Sequence, residues 1–317
     1  MNAVAFVFPG QGSQYVGMGR SLVDASKGAA ATFATVDAAL AEPLSALVWD
    51  GPAETLDLTA NAQPAILACS IALLRALEER GFDATPRFYA GHSMGQYSAM
   101  VAGGVLRLDD AARLVRERGR LMQASAEDGA MAAVIGLPDD RLADLEAAGS
   151  AAGVFTIANR NSPGQVVVSG ERAAVEAAAE AAKSMGAKRA LMLPVSVAAH
   201  SPLMTGAAEG MRRALADVEF ADPRAPLLAN VDARPLETGE ACRAELIEHL
   251  TRGVDWIAAV EAMAGAGVTQ FVEVGPGKVL SGLIRRISPD AAALPVDDSA
   301  AEGSLALPSF DQAAASA

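Results

Sequence analysis

An α/β fold built on a mainly parallel sheet is predicted by three features of this 317-residue chain. Short, unbroken apolar runs end at Gly or Pro, as buried parallel strands do. Between them lie stretches with apolar residues at three- and four-residue spacing, so strands and helices alternate. From residue 129 to 195 the rhythm changes to a close strand pair set between two helices, which marks a second, smaller unit.

Residues 3–8 (AVAFVF) form the first strand, stopped by Pro9-Gly10. Residues 21–40 and 64–80 read as helices. The second carries Ile66, Leu67, Ser70, Leu73, Leu74 and Leu77 on one face and ends at Gly81. Residues 87–91 make a strand that runs through His92-Ser93-Met94-Gly95 into a helix, and residues 109–122 form another helix. In the smaller unit, a strand (130–137), a helix (138–148) and two strands (154–158 and 165–169) around Asn161-Ser162-Pro163-Gly164 come first. A helix (171–186) and a strand (189–195) complete the order β-α-β-β-α-β, the ferredoxin-like pattern. The α/β alternation then resumes. A helix closes over 212–218, a strand spans 226–230, and helices span 243–251 and 255–264. Residues 268–274 are the last strand, before Gly275-Pro276-Gly277. From 291 onward the chain is rich in Ala, Ser and Asp without periodicity and reads as a loosely held tail. The expected division is a core (1–128 and 196–290), an inserted subdomain (129–195) and a tail (291–317).

Hydrophobic residues make up 51% and charged residues 20%, enough for a packed core and too apolar for a disordered chain. With aromatics at 4%, that core is expected to be filled by Ala, Val and Leu. The balance of 25 Lys plus Arg against 38 Asp plus Glu gives −13, which argues against a nucleic-acid partner, since binding phosphates needs a cationic surface. Cys69 and Cys242 stand far apart, suggesting neither a disulfide framework nor a zinc site. No cationic leader and no 18-residue apolar run is present, so a cytoplasmic protein with no membrane partner is expected; a monomer is the expected state.

Gly91-His92-Ser93-Met94-Gly95 fits the G-x-S-x-G nucleophile elbow, with a strand before it and a helix after it. Such a turn lifts the Ser93 hydroxyl to a helix N-terminus, where main-chain N–H groups can stabilise an oxyanion. The plain alternative is a Gly-rich turn with Ser93 as a helix cap. A nucleophilic serine needs a base, and the chain has three histidines. His92 abuts Ser93 and is expected to point away from it. His249 lies in ELIEHL, which reads as a solvated helix face. His200 follows a strand in a loop of small residues, where α/β folds place catalytic groups, and is the expected base. No carboxylate between Ser93 and His200 presents itself as a third member, so a Ser-His dyad oriented by a main-chain carbonyl is expected.

In the 109–122 helix, Arg118 falls on the stripe of Ala111, Leu114, Val115, Leu121 and Met122, whereas Arg113, Arg116 and Arg120 are expected on the solvated face. An inward arginine needs an anionic partner such as a substrate carboxylate; the plain alternatives are a structural ion pair or a snorkelling side chain. After the first strand, Pro9-Gly10-Gln11-Gly12-Ser13-Gln14 is neither a dinucleotide fingerprint nor a P-loop, but its glycines allow close backbone approach, making a second oxyanion donor near Gln11 reasonable.

Together these segments resemble the malonyl-CoA:acyl-carrier-protein transacylases. The matching stretches are FVFPGQGSQYVGMG (6–19), NAQPAI (61–66), GHSMGQYSA (91–99), RERGRLMQ (116–123), GAMAAVIGL (129–137), NSPGQVVVSG (161–170), PVSVAAHSPLM (194–204), NVD (230–232) and VEVGPGKVLSGLIRRI (272–287). They run in collinear order from about residue 4 to 287. The resemblance implies an α/β-hydrolase-like core carrying the ferredoxin-like insertion. It implies Ser93 as the acylated nucleophile, His200 as its base, Arg118 as the binder of the malonyl carboxylate, and Gln11 and Met94 as oxyanion-hole N–H donors. It further implies a ping-pong cycle in which malonyl-CoA acylates serine and the phosphopantetheine thiol of acyl carrier protein takes the acyl group, with no cofactor. Two departures stand out. Asp255 precedes Trp256 where the family often has glutamine or arginine, at a position expected to orient the histidine through its main-chain carbonyl. Gln96 stands where many members have glutamate. A serine thioesterase with the same elbow, and a non-catalytic carrier-docking module spoiled by Asp255, remain as alternatives. Lys183, Lys188, Arg189, Arg285 and Arg286 are candidates for a cationic patch that meets the acidic carrier.

Overall fold

The computed structural model describes residues 3–125, 128–195 and 197–296. Six strands form the larger sheet: β1 (Ala3–Phe8), β2 (Phe88–Gly91), β7 (Leu227–Leu228), β8 (Pro235–Leu236), β10 (Val268–Val274) and β11 (Ala292–Val296), in the order β11-β10-β1-β2-β7-β8. Every neighbouring pair is parallel except β7/β8, so the sheet is mainly parallel, as its unbroken apolar runs predicted. Residues 292–296 correct the expected boundary of the tail. They form an edge strand paired with β10 over Gln270–Val274, with Ala293 and Val296 buried. Pairing with an existing strand supplies the order that this short Ala-rich stretch could not signal alone. The remainder of the expected tail, 297–317, lies outside the described residues.

The smaller sheet is built from β3 (Gly129–Ile135), β4 (Phe155–Ser162), β5 (Gln165–Glu171) and β6 (Arg189–Met192), with β9 (Val254–Asp255) added at one edge. Its order is β6-β3-β5-β4-β9, and the four strands of the insertion pair antiparallel throughout. The helices Leu142–Ser150 and Arg172–Ser184 cover one face, burying Leu145, Val175, Ala178 and Ala182 against Val134, Val166 and Val168. The parallel pairing of β4 with β9 joins this sheet to a segment that belongs to the core in sequence.

The helix Thr59–Glu79 starts five residues ahead of the expected 64–80 and carries Pro64 inside it. Pro64 has no N–H to give the Ala60 carbonyl one turn back. Arg116 takes that carbonyl at 2.6 Å, also bonds the Asn61 side chain, and pairs with Glu42 at 2.6 Å. Arg116 is therefore buried, which corrects its expected place on a solvated face. A main-chain acceptor freed by a distant proline is invisible to helical periodicity. The Thr59–Glu79 helix is the one described helix long and apolar enough to cross a bilayer, and it is buried in the core.

Candidate active site

The turn between β2 and the helix Gly95–Ala102 is held by close backbone approach. A Cβ on Gly91 would lie 2.0 Å from the Gly95 main chain, and one on Gly95 would lie 2.2 Å from the Phe8 carbonyl. Both flanking glycines of the elbow are thus required by space. Ser93 between them sits at φ 53°, the left-handed region, a strain of roughly 1–3 kcal/mol for a residue with a side chain. Asn230 secures that conformation from the far side. Its Oδ1 accepts the Ser93 N–H at 2.7 Å, and its Nδ2 donates to the Gly91 carbonyl at 2.9 Å. Gln96 adds a second tie, accepting the Gly91 N–H at 3.0 Å and donating to the Leu228 carbonyl at 2.9 Å. A neutral amide suits this place because it both accepts and donates, which an ionised glutamate could not.

His200 lies at φ 61° with its Nε2 2.8 Å from Ser93 Oγ. Its Nδ1 is 2.6 Å from the His249 carbonyl, an acceptor only, so Nδ1 carries the proton and Nε2 is free to take that of Ser93. This corrects the role expected of Asp255: the carbonyl that orients His200 is that of His249. Asp255 instead pairs with Arg160 at 2.7 Å and caps the helix Trp256–Gly265 by accepting the Ala258 N–H at 3.0 Å. With its charge met by Arg160 on β4, Asp255 ties the small sheet to the core.

Arg118 is 1% exposed, on the helix Leu108–Ala124. Nη1 donates to Gln63 Oε1 at 2.8 Å, while Nη2 lies 3.2 Å from Ser93 Oγ and 3.3 Å from His249 Nε2. No carboxylate among the described residues pairs with it, and its Nε has no partner. The structural ion pair that the sequence left open is therefore not what Arg118 makes. A buried guanidinium surrounded by neutral acceptors is costly unless an anion arrives.

His249 is fully buried, not on a solvated face as ELIEHL suggested. Within the helix Gly239–Arg252 the buried positions Cys242, Glu245, Leu246, His249 and Leu250 form one stripe, so the periodicity held the signal and the charged neighbours masked it. Glu245 Oε1 accepts the Asn230 N–H at 2.6 Å, and burial pushes its carboxyl up to about 7. Gln63, Asn230, Glu245 and His249 surround the nucleophile and Arg118, and the sequence reading gave none of them a part there.

The turn that carries Gln11 packs onto the elbow. The His92 N–H donates to the Phe8 carbonyl at 3.0 Å, and a Cβ on Gly10 would lie 2.6 Å from the His92 carbonyl. Gln11 Nε2 donates to Thr59 Oγ1 at 3.2 Å. Met94, the residue after the nucleophile, is buried at the N-cap of the following helix. His92 points away from Ser93, placing Nε2 2.9 Å from Asn161 Oδ1 on β4 and its ring against Trp256. The small sheet thus reaches the residue beside the nucleophile.

Burial, with the neighbouring His249 and the Arg118 charge, holds His200 well below its ordinary value of 6.5. A lowered pKa leaves the imidazole neutral at pH 7 and keeps it so as the pH falls past 6.5. Protonation then disables the base only at lower pH. The acid limb of kcat/KM is accordingly expected to have its midpoint below 6.5; a midpoint at or above 6.5 would contradict this reading.

The acyl transferase domain family matches residues 5–299. The malonyl CoA-acyl carrier protein transacylase of Escherichia coli (strain K12) is 47% identical over 289 residues, covering 90% of this chain and 93% of that protein. The crystal structure of the acyl-carrier-protein-S-malonyltransferase from Bartonella henselae superimposes with a TM-score of 0.90 at 45% identity, covering 93% of this chain and 95% of that one. A malonyl-transacylase solved in complex with a type II PKS acyl-carrier protein gives a TM-score of 0.90 at 43% identity, covering 95% and 97%.

Proposed function

From the premise that this chain belongs to the acyl transferase domain family, we propose that Ser93, His200, Arg118, Gln11 and Met94 carry out its reaction. The protein is an acyltransferase of the malonyl-CoA:acyl carrier protein class, moving a malonyl group from coenzyme A to acyl carrier protein. In the proposed mechanism, His200 Nε2 takes the Ser93 proton as Oγ attacks the malonyl thioester carbonyl. The N–H groups of Gln11 and Met94 receive the oxyanion. His200 then gives its proton to the departing thiolate of coenzyme A, leaving a malonyl-serine ester. The second half repeats the steps with the carrier's phosphopantetheine thiol as nucleophile, restoring Ser93. Asp255 has no place in this dyad, because His249 supplies the orienting carbonyl.

The observation that carries the assignment is the buried Arg118, 3.2 Å from the nucleophile and without an acidic partner among the described residues. It leaves an unmet positive charge where the free carboxylate of a malonyl group would lie. The division into a core (1–128 and 196–290, extended by β11 to 296) and a small subdomain (129–195) belongs to the same proposal. The Asn161–His92 contact supports it, since it brings β4 of the small sheet to the residue beside the nucleophile. A cytoplasmic, monomeric enzyme without nucleic-acid or membrane partners completes it.

The carrier is proposed to dock on exposed cations of the small subdomain. Lys188 and Arg189 are exposed at the start of β6, while Arg286 is engaged by Gln165 at 2.8 Å, Arg285 by the Ala293 carbonyl and Lys183 by Glu180. Wild-type enzyme labelled by malonyl-CoA is expected to lose its label rapidly to holo carrier and only slowly to water. Reversing Lys188 and Arg189 to Glu should raise the carrier's KM about tenfold with kcat retained. Rapid release of free malonate without carrier would favour the thioesterase reading, and an unchanged KM would remove Lys188 and Arg189 from the docking site.

A further inference from the structure

We infer that Gln63 and His249 set the site's preference for an anionic acyl group, by meeting the Arg118 guanidinium with neutral acceptors only. The inference rests on Arg118 receiving the substrate carboxylate, as proposed above. Gln63 is fully buried. Its Oε1 faces Arg118 Nη1 at 2.8 Å, while its Nε2 has only the thioether sulfur of Met122, at 3.6 Å. The first turn of the Thr59–Glu79 helix packs tightly against the helix that carries Arg118. Arg116 holds the carbonyl that Pro64 leaves free, and Gly119 lies so close that a Cβ there would stand 2.5 Å from Ala60 Cα. The segment RERGRLMQ thus supplies Arg118 and grips the helix that carries its acceptor.

On the other side of the guanidinium, Arg118 Nη2 donates to His249 Nε2, which must be unprotonated to accept. The ring is therefore neutral, in agreement with its full burial beside a cation. Glu245 lies beyond that ring, 3.7 Å from Nδ1, and is engaged by the Asn230 N–H and by Arg234 at 3.6 Å. The imidazole stands between this carboxyl and Arg118. Gln and Glu have the same shape but differ by one charge. A glutamate at 63 would give Arg118 a permanent counterion about 2.8 Å away, and an incoming malonate would have to displace it or be repelled by it. An acetyl group has no carboxylate and meets no such competition.

The test is the rate of acyl-enzyme formation, followed by intact-protein mass spectrometry, with malonyl-CoA and with acetyl-CoA. Gln63→Glu is expected to lower the malonyl-to-acetyl ratio of kcat/KM by about tenfold or more. Gln63→Met removes the acceptor without adding a charge, and His249→Gln keeps both a neutral acceptor and the main-chain carbonyl toward His200. Both should slow loading while preserving the order of preference. If both substrates fall together in Gln63→Glu, leaving the ratio within about twofold of wild type, the inference is overturned. Arg118→Met measured alongside separates the two claims. A ratio unmoved by Arg118→Met defeats the carboxylate reading itself, whereas a ratio that moves there but not in Gln63→Glu defeats only the part given to Gln63.

Discussion

Ser93→Ala is expected to abolish the covalent adduct and to lower transfer by about 10⁴-fold or more, since removing the nucleophile leaves only binding and the oxyanion donors. The substitution isolates chemistry from structure. Alanine keeps the N–H that donates to Asn230, and it fits the same left-handed turn at no greater steric cost than serine. Gly91, Gly95 and Gln96 hold the elbow independently of the hydroxyl. What disappears is Oγ, and with it the acceptor of one Arg118 hydrogen bond and the partner of His200 Nε2. Brief mixing with malonyl-CoA followed by intact-protein mass spectrometry should therefore show a malonyl adduct on wild type and none on the variant, at an unchanged melting temperature. An adduct surviving on Ser93→Ala would move the nucleophile elsewhere. Transfer persisting without any adduct would replace the ping-pong cycle by direct attack of the carrier thiol.

The parts of this enzyme legible in sequence are those in which one segment carries its own reason. GHSMG announces an elbow because its glycines and serine are contiguous, and the space they need is local. Arg118 was readable from the helical period, since an inward cation contradicts its stripe. The order of the small sheet followed from six short elements in a row. Contacts assembled from distant segments were not readable. Arg116 is buried because Pro64, 52 positions away, leaves a carbonyl unbonded, and nothing in DDAARLVRERGRLM records this. The carbonyl that orients His200 belongs to a residue 49 positions on, and any side chain can present a carbonyl, so residue type is silent on the matter. The resemblance had placed that carbonyl on Asp255, whose side chain pairs with Arg160 instead. For β11 the missing information was its partner strand β10.

Arg118→Met separates function from stability in a way that few active-site changes do. Breaking a buried ion pair normally leaves an uncompensated charge and destabilises by several kcal/mol. Here the charge is already uncompensated, because Gln63, Ser93 and His249 offer no anion. Replacing it by an apolar side chain of similar length removes a desolvated guanidinium and its unpartnered Nε, and strands only neutral groups. The melting temperature should hold or rise. Malonyl loading should collapse, since the substrate carboxylate would enter a dry pocket with nothing to receive it. A loss of 10²- to 10⁴-fold in kcat/KM corresponds to about 3–5 kcal/mol, the range for deleting one partner of a desolvated charge pair. Acetyl loading should suffer far less. Thermal melts and acyl-enzyme rates on one preparation decide the matter. A variant that loads malonyl and acetyl with equal loss would show that Arg118 serves the elbow and not the substrate. One that melts well below wild type would show that its neutral partners already repay the burial of its charge, which would remove the physical argument for an incoming anion.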